Sequence, residues 1–239
     1  MRTVRFFCQE ISQNAILSDS QFRHLTKVLR LQIGDPVELF DGKGTLAKAI
    51  INKIEKNRAI LTIEDVKNIP KPQNHRIIIV SSIAKGERFE ILVAKCTELG
   101  VDRITPVIFE RTVKQALQHK RLETIAVESA KQCQRLFLPQ IDQPMNIQQA
   151  IETLQTEYPN AKIIFGSLSA DTKSILNIDF DSNDLIAFIG PEGGLTDAEE
   201  NMLKHLNAQP VSLTDTTLRI ETAAIAAAAV LAAIRTANG

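Results

Sequence analysis

Two short stretches hold the residue types best suited to ligand chemistry. In the first, Ile189 to Glu200 (IGPEGGLTDAEE), an apolar run ends at Gly190 and a proline with two glycines makes a tight loop. Thr196 and Glu199 then form a Thr-x-x-Glu capping box for a helix. Without Cβ atoms, Gly193 and Gly194 would let backbone amides approach a ligand closely. Ligands of open α/β sheets bind where such loops leave the carboxyl ends of strands. A plain strand-to-helix turn needs glycine too, so the pattern alone leaves both readings open. The loop is neither GxGxxG nor GxxxxGK followed by Ser or Thr, which disfavours a Rossmann dinucleotide site and a triphosphate cradle.

The second stretch is Leu213 to Ala224, LTDTTLRIETAA, a hydroxyl-rich loop leading into the last helix. Arg219 lies at the positive end of that helix's dipole, a position unfavourable to a cation by ~0.3–1 kcal/mol. Something should hold it there, either a salt bridge to Glu192 or Asp215 or a functional demand, unless it is simply solvated. Glu221, in the first turn, is what the dipole prefers. A third feature is basic: Arg111, Lys114, His119, Lys120, Arg121, Lys131 and Arg135 fall close together, and Arg2, Arg5, Arg23, Lys27 and Arg30 cluster near the N-terminus. Such charges could neutralise phosphates, although a solvated helix face is the commoner cause. Aromatics for base stacking are scarce there, with only Phe6, Phe7 and Phe22 in the N-terminal region.

The elements that position these loops follow from periodicity. The linker is placed at Lys67 to Asn74, where Pro70 and Pro72 remove backbone donors. This gives domains 1–70 and 71–239. The first reads as a small β-barrel or sandwich: a hairpin of Val37–Phe40 and Thr45–Ile54 about Asp41-Gly42-Lys43-Gly44, a strand over Arg58–Val66 and one helix over Asp19–Leu29. The second alternates strands (76–82, 104–109, 162–166, 185–190, 209–213) with helices (87–99, 120–135, 147–157, 196–206, 221–236), which predicts a mostly parallel sheet covered on both faces. The final helix is nearly all Ala, Ile and Val. It fits a core helix or a subunit interface.

Charge sharpens the division. The 239 residues balance 28 Lys+Arg against 28 Asp+Glu, yet residues 1–135 hold 23 and 15, a net +8, and the remainder is −8. The longest apolar run, Ala223 to Ile234, is short of the ~18 residues of a membrane span, and the N-terminal residues lack a signal-peptide core. A soluble, cytoplasmic protein without a membrane partner is expected. Cys8, Cys96 and Cys133 and the four histidines are scattered, so no metal site is expected.

The stretches KGERFEILVAKCTELGVDRITPV (85–107), Glu110-Arg111, KQCQR (131–135), IGPEGGLTDAE (189–199) and LRIETA (218–223) together closely resemble the ribosomal RNA small-subunit methyltransferase E family. That family lies within the SPOUT, or α/β-knot, class. HLTKVLRLQIGDPVELFDGKG (24–44) resembles its PUA-like RNA-binding domain. The resemblance implies a SPOUT domain with a deep trefoil knot and an N-terminal PUA-like β-barrel. It also implies a homodimer that uses S-adenosyl-L-methionine to methylate ring nitrogen 3 of a uridine in 16S rRNA. By position it assigns the cofactor to Phe165, Gly166, Ser167 and Leu168, to Ile189, Gly190, Pro191, Glu192, Gly193 and Gly194, and to Leu213, Thr214, Leu218 and Thr222. RNA contacts are expected from Arg2, Arg5, Arg23, Lys27, Arg30, Arg111, Lys114 and Arg135. The family pattern LGxRILRxETA is altered here, with Thr214, Thr216 and Thr217 in place of a glycine, an arginine and an aliphatic residue.

Uracil's imide nitrogen is neutral near pH 7 and must lose a proton before it attacks a methyl group. A guanidinium near the carbonyl oxygens would stabilise the resulting anion, and Arg219 is assigned that role. Glu221 is expected to position Arg219 or to assist proton transfer, and water remains an alternative base. Two further readings stay open: a related SPOUT enzyme acting on another base or a ribose 2′-hydroxyl, and an inactive RNA-binding relative suggested by the three threonines.

Overall fold

The computed structural model describes residues 3–72, 75–113, 116–167, 169, 172–178 and 184–238. The expected site residues Arg2, Lys114 and Leu168 lie outside them. The chain forms two compact units, Met1–Lys71 with Ala130–Leu138, and Pro72–Ser129 with Pro139–Gly239.

The first unit is built on β1 (Arg5–Phe7), β2 (Asn14–Ser18), β3 (Pro36–Phe40), β4 (Thr45–Ile54) and β5 (Arg58–Asn68), in the sheet order β1-β3-β4-β5-β2. Only β1 and β3 run parallel. Alternation sends Ala47, Ala49, Ile51, Ala59 and Leu61 into one core. The β3–β4 turn forms because Gly42 and Gly44 take positive φ, +76° and +110°. The Asp41 carboxylate accepts from the amides of Lys43 at 2.7 Å and Thr45 at 3.0 Å. Burial alone would raise the Asp41 pKa, but these hydrogen bonds prevail and hold it below the usual carboxylate range.

The one helix expected in this unit begins as α1 (Asp19–Arg23) but widens into a π-helical turn over His24–Val28, closed by Leu29 N–H donating to His24 O at 3.0 Å. β1 is too short to show a readable alternation, and the sequence reading missed both it and β2, whose five residues alternate. Residues 130–138 return to this unit through specific bonds. Arg5 Nη1 donates to Gln134 O at 2.7 Å, and Leu138 N–H donates to Gly42 O at 2.9 Å.

The second unit contains β6 (Ile77–Ser82), α2 (Arg88–Glu98), β7 (Arg103–Ile108), α3 (His119–Cys133, whose residues from Ala130 on belong to the first unit), β8 (Gln140–Ile141), β9 (Met145–Asn146), α4 (Ile147–Glu157), β10 (Lys162–Gly166), β11 (Lys173–Ser174), β12 (Leu185–Ile189), α5 (Asp197–His205), β13 (Gln209–Ser212) and α6 (Ile220–Asn238). Its strand order is β11-β13-β10-β12-β6-β7-β8, with β9 also on β7, and every described pairing is parallel. Along β6, Ile77 and Ile79 enter one core with α2 and α6, while Ile78 and Val80 enter the other with α4 and α5. That division explains the uninterrupted apolar text of β6 and β12: both faces are covered. Each aliphatic side chain so buried stabilises the sheet by roughly 1.5–3 kcal/mol.

At the start of β7, burial lowers the Arg103 pKa. Hydrogen bonding and charge from Asp142, with Tyr158 and Glu157, more than offset this and hold the guanidinium above its ordinary value. α6 buries Ala224, Ala227, Ala228 and Leu231 against the sheet and leaves Ile225, Ala226, Val230 and Ala233 partly or fully exposed. Ile220–Ala237 is long and apolar enough to cross a membrane by length and composition alone, a window the uninterrupted run did not reach because it includes Glu221 and Arg235.

Candidate functional site

Three neighbouring parallel strands, β13, β10 and β12, end on the same side of the sheet and release the loops beginning at Leu213, Ser167 and Gly190. Between those loops lies a cavity of about 340 Å³. It is lined by Gly166, Ser167, Ile189, Gly190, Pro191, Glu192, Gly193, Gly194, Leu213, Thr214 and Leu218. The sequence proposed each of these for the cofactor. The wall also includes Ser169, Thr216 and Thr217 from the same expected loops, and Arg111, Leu195, Glu200, Val211 and Ala223, which were not assigned to the cofactor. Phe165 lies in the core beneath, fully buried, and Thr222 is exposed on the first turn of α6 and is not among the lining residues.

The β12–α5 loop is shaped from several directions. Gly194 takes φ +74° and donates from its amide to Pro191 O at 2.9 Å, closing a turn. A Cβ on Gly190 would come within 3.0 Å of the Leu195 side chain, so glycine keeps the floor of the cavity open. The expected capping box is present: Thr196 accepts from the Glu199 amide, and the Glu199 carboxylate accepts from the Thr196 amide at 2.8 Å. Glu199 is 4% exposed, and its other oxygen accepts from the Glu110 amide at 2.8 Å. The segment after β7 also reaches this loop through Arg111, whose Nη1 donates to Gly193 O at 2.7 Å and Leu195 O at 3.3 Å. Arg111, expected to meet RNA, thus lies on the cavity wall and braces its backbone.

Within the β13–α6 loop, Thr214 Oγ1 donates to Thr216 O at 2.8 Å, a side-chain brace where the family pattern has glycine. Arg219 is exposed at the head of α6, and its carbonyl accepts the amide of Ala223 at 2.8 Å. The salt bridge considered between Arg219 and Glu192 is not formed; Glu192 Oε1 instead accepts from Arg88 Nη1 at 2.9 Å. Glu221 is 8% exposed, and its Oε2 has no hydrogen-bond partner. Arg88 went unassigned in the sequence reading because only its place in KGERFE marked it, 104 residues from Glu192.

Of the arginines and lysines assigned to RNA, Arg23, Lys27 and Arg30 are exposed around the π-helical turn. Arg5 is differently placed: its side chain is 9% exposed and pairs with Glu38 at 2.8 Å as well as with Gln134 O. It therefore acts as an internal brace of the first unit. Arg135 is bonded within the structure, its amide donating to Ala130 O at 3.0 Å.

The cavity suits a nucleoside-sized ligand. Its volume is in the range of small-molecule sites, it lies at the carboxyl ends of parallel strands, and its wall combines glycines with apolar and hydroxyl side chains, Arg111, Glu192 and Glu200.

A family model described as an RNA methyltransferase domain matches residues 71–232, and one described as an RNA methyltransferase PUA domain matches 17–64. The ribosomal RNA small subunit methyltransferase E of Synechocystis sp. is 32% identical over 234 residues, covering 95% of this chain and 75% of the relative. A crystal structure of the same-named protein from Neisseria gonorrhoeae, bound to S-adenosyl methionine, is 30% identical with a TM-score of 0.86 and covers 98% of each chain. The crystal structure of a probable rRNA-methyltransferase from Porphyromonas gingivalis has a TM-score of 0.89 at 26% identity, covering 99% of this chain and 100% of that one.

Proposed function

The chain belongs to the ribosomal RNA small subunit methyltransferase E family, and on that premise we propose that it uses S-adenosylmethionine to methylate ring nitrogen 3 of a uridine in 16S rRNA. The observation that carries this reading is the cavity between the β10, β12 and β13 loops, whose wall is made largely of the residues that the family resemblance assigns to the cofactor. Backbone groups at Gly166, Gly190, Gly194 and Leu218 would hold the adenosine part. When bound, the cofactor supplies an electrophilic methyl group.

The chain's own residues then make uracil reactive. The base must be flipped out or unpaired to reach the cavity. Arg219, exposed next to Leu218 of the cavity wall, would offer donors to the base's carbonyl oxygens, on which negative charge settles once the N3 proton has left. Of the two roles open to Glu221, positioning Arg219 or assisting proton transfer, burial of its carboxylate supports the first. RNA is held by Arg23, Lys27 and Arg30, which should make binding fall steeply with salt.

We propose further that the chain works in the cytoplasm as a homodimer through the uncovered side of α6, and that β12, β10 and β13 belong to a trefoil knot. The knot reading draws on the sheet order, in which the link from β12 to β13 passes over β10. Mass-spectrometric mapping of 16S rRNA, with and without the gene, tests the substrate. Loss of one 3-methyluridine on deletion is expected, and an unchanged 3-methyluridine sinks the assignment. Ala229→Arg should give a monomer in sedimentation; a persistent dimer would place the interface elsewhere.

A further inference from the structure

The activity as proposed leaves one well-placed cation without a part. Arg88 opens α2, and three groups from three different segments converge on it. Its Nε donates to Lys85 O at 3.1 Å and its Nη1 to Glu192 Oε1 at 2.9 Å. Glu221 Oε2 lies 4.0 Å from the same Nη1, within charge attraction but beyond hydrogen-bond reach. Glu192 stands on the cavity wall in the β12–α5 loop. Glu221 sits in the first turn of α6, two residues after Arg219.

The Glu221 oxygen calls for an explanation. Among the described residues only it and Gln21 Oε1 are buried side-chain polar atoms without a hydrogen-bond partner. Leaving a buried acceptor unpaired is costly, more so when it is charged. A carboxylate kept in such a place must be held by its surroundings, and Arg88 is the cation facing it. A planar guanidinium can serve a carbonyl and two carboxylates from one fixed position; an ammonium on a flexible stem cannot do so with the same geometry.

We propose that Arg88 is a positioning residue. It ties the cofactor loop, through Glu192, to the first turn of α6, through Glu221, and so sets Arg219 relative to the cavity. The proposal rests on the methyltransferase reading and adds to it a residue that never touches substrate. It predicts that Arg88 matters to two things at once, cofactor affinity and the chemical step, and that it acts on the first through Glu192.

The test uses the full-length protein and four variants: Arg88→Ala, Arg88→Lys, Glu192→Ala, and the double variant R88A/E192A. S-adenosylmethionine affinity is measured by calorimetry, and kcat and KM are measured on small ribosomal subunits. Arg88→Ala should lower kcat by about 10²-fold, the scale of a small misplacement of catalytic groups, with KM for RNA unchanged. Arg88→Lys should recover part of the cofactor affinity but little of kcat. R88A/E192A should bind the cofactor no more weakly than Glu192→Ala alone, because the two substitutions remove one interaction.

Additive losses in the double variant, or a kcat within about twofold of wild type for Arg88→Ala, would overturn the proposal. If Arg88→Ala does not fold, Arg88→Lys and Glu192→Ala decide the matter, since lysine keeps a long cationic side chain and Glu192 is exposed. The calorimetry needs no RNA. Should the wild type form no 3-methyluridine, the substrate reading fails, while the Arg88–Glu192 coupling is still decided by cofactor binding.

Discussion

Replacing Glu199 by alanine should destabilise the second unit more than its place in a surface capping motif suggests. The carboxylate accepts three hydrogen bonds: from the Glu110 amide at 2.8 Å, the Thr196 amide at 2.8 Å and Thr196 Oγ1 at 3.1 Å. Two of these donors are backbone amides, and at 4% exposure the site gives water little room to replace the lost acceptor. An ordinary N-cap substitution costs about 1 kcal/mol. Here two partly buried backbone amides also lose a charged partner, at about 1.5–3 kcal/mol each at most. Allowing for their non-additivity, the expected loss is about 3 kcal/mol, or roughly 6–12 °C in Tm for a domain of this size.

Glu199→Gln keeps the volume and one accepting oxygen but turns an NH2 toward a donor, so about half that loss is expected. Urea unfolding followed by circular dichroism, with an unchanged m-value, measures both variants. Calorimetry should also show weaker S-adenosylmethionine binding in Glu199→Ala, because the loop from Gly190 to Leu195 hangs between the groups that Glu199 joins. An alanine variant within about 0.5 kcal/mol of wild type would refute the reasoning, since that is the range of unconstrained surface sites.

Three other perturbations test the scaffold. Gly44→Ala places a Cβ against the carbonyl of Ile69 and the ring of Phe137 at a residue with φ +110°, so a loss of about 2 kcal/mol or more is expected by denaturant midpoint. Arg103→Ala removes the cation from Asp142, which is 8% exposed and keeps only the Thr105 hydroxyl and the Gln140 amide as neutral donors, and should cost about 3 kcal/mol; a small effect in thermal melts would mean that the neutral donors suffice to hold the charge. For Asp41 the folded pKa is depressed, so its stabilisation is present above the ordinary carboxylate pKa and disappears as pH falls through about 4 toward the folded value. Asp41→Asn should therefore flatten the acid limb of a stability-versus-pH curve, and an identical limb would show that other carboxylates set it.

Much of the architecture is legible in the chain because it is local physics. Continuous β-branched text at β6 and apolar text at β12 predict strands covered on both faces, and helical spacing with Gly100 at φ +83° marks the end of α2. The Thr196–Glu199 capping box is read from four residues and found as read. The strands β1, β8, β9 and β11 are not legible, because two or three residues carry too little periodicity, and β2 went unread although its five residues alternate. For those, pairing with a neighbour decides the conformation.

The site divides along the same line. The glycines and turn residues of the cavity loops are readable along the chain, since backbone conformation and close approach depend on the residue at each position. Only the tertiary structure decided which long side chains meet there. Arg111 joins Gly193 across 82 residues and Arg88 joins Glu192 across 104, while Arg5 is drawn inward by Glu38 and Gln134. Whether an arginine braces a loop, pairs in a core or faces RNA depends on which elements the fold brings within about 3 Å of its guanidinium, and spacing along the chain carries no record of that distance.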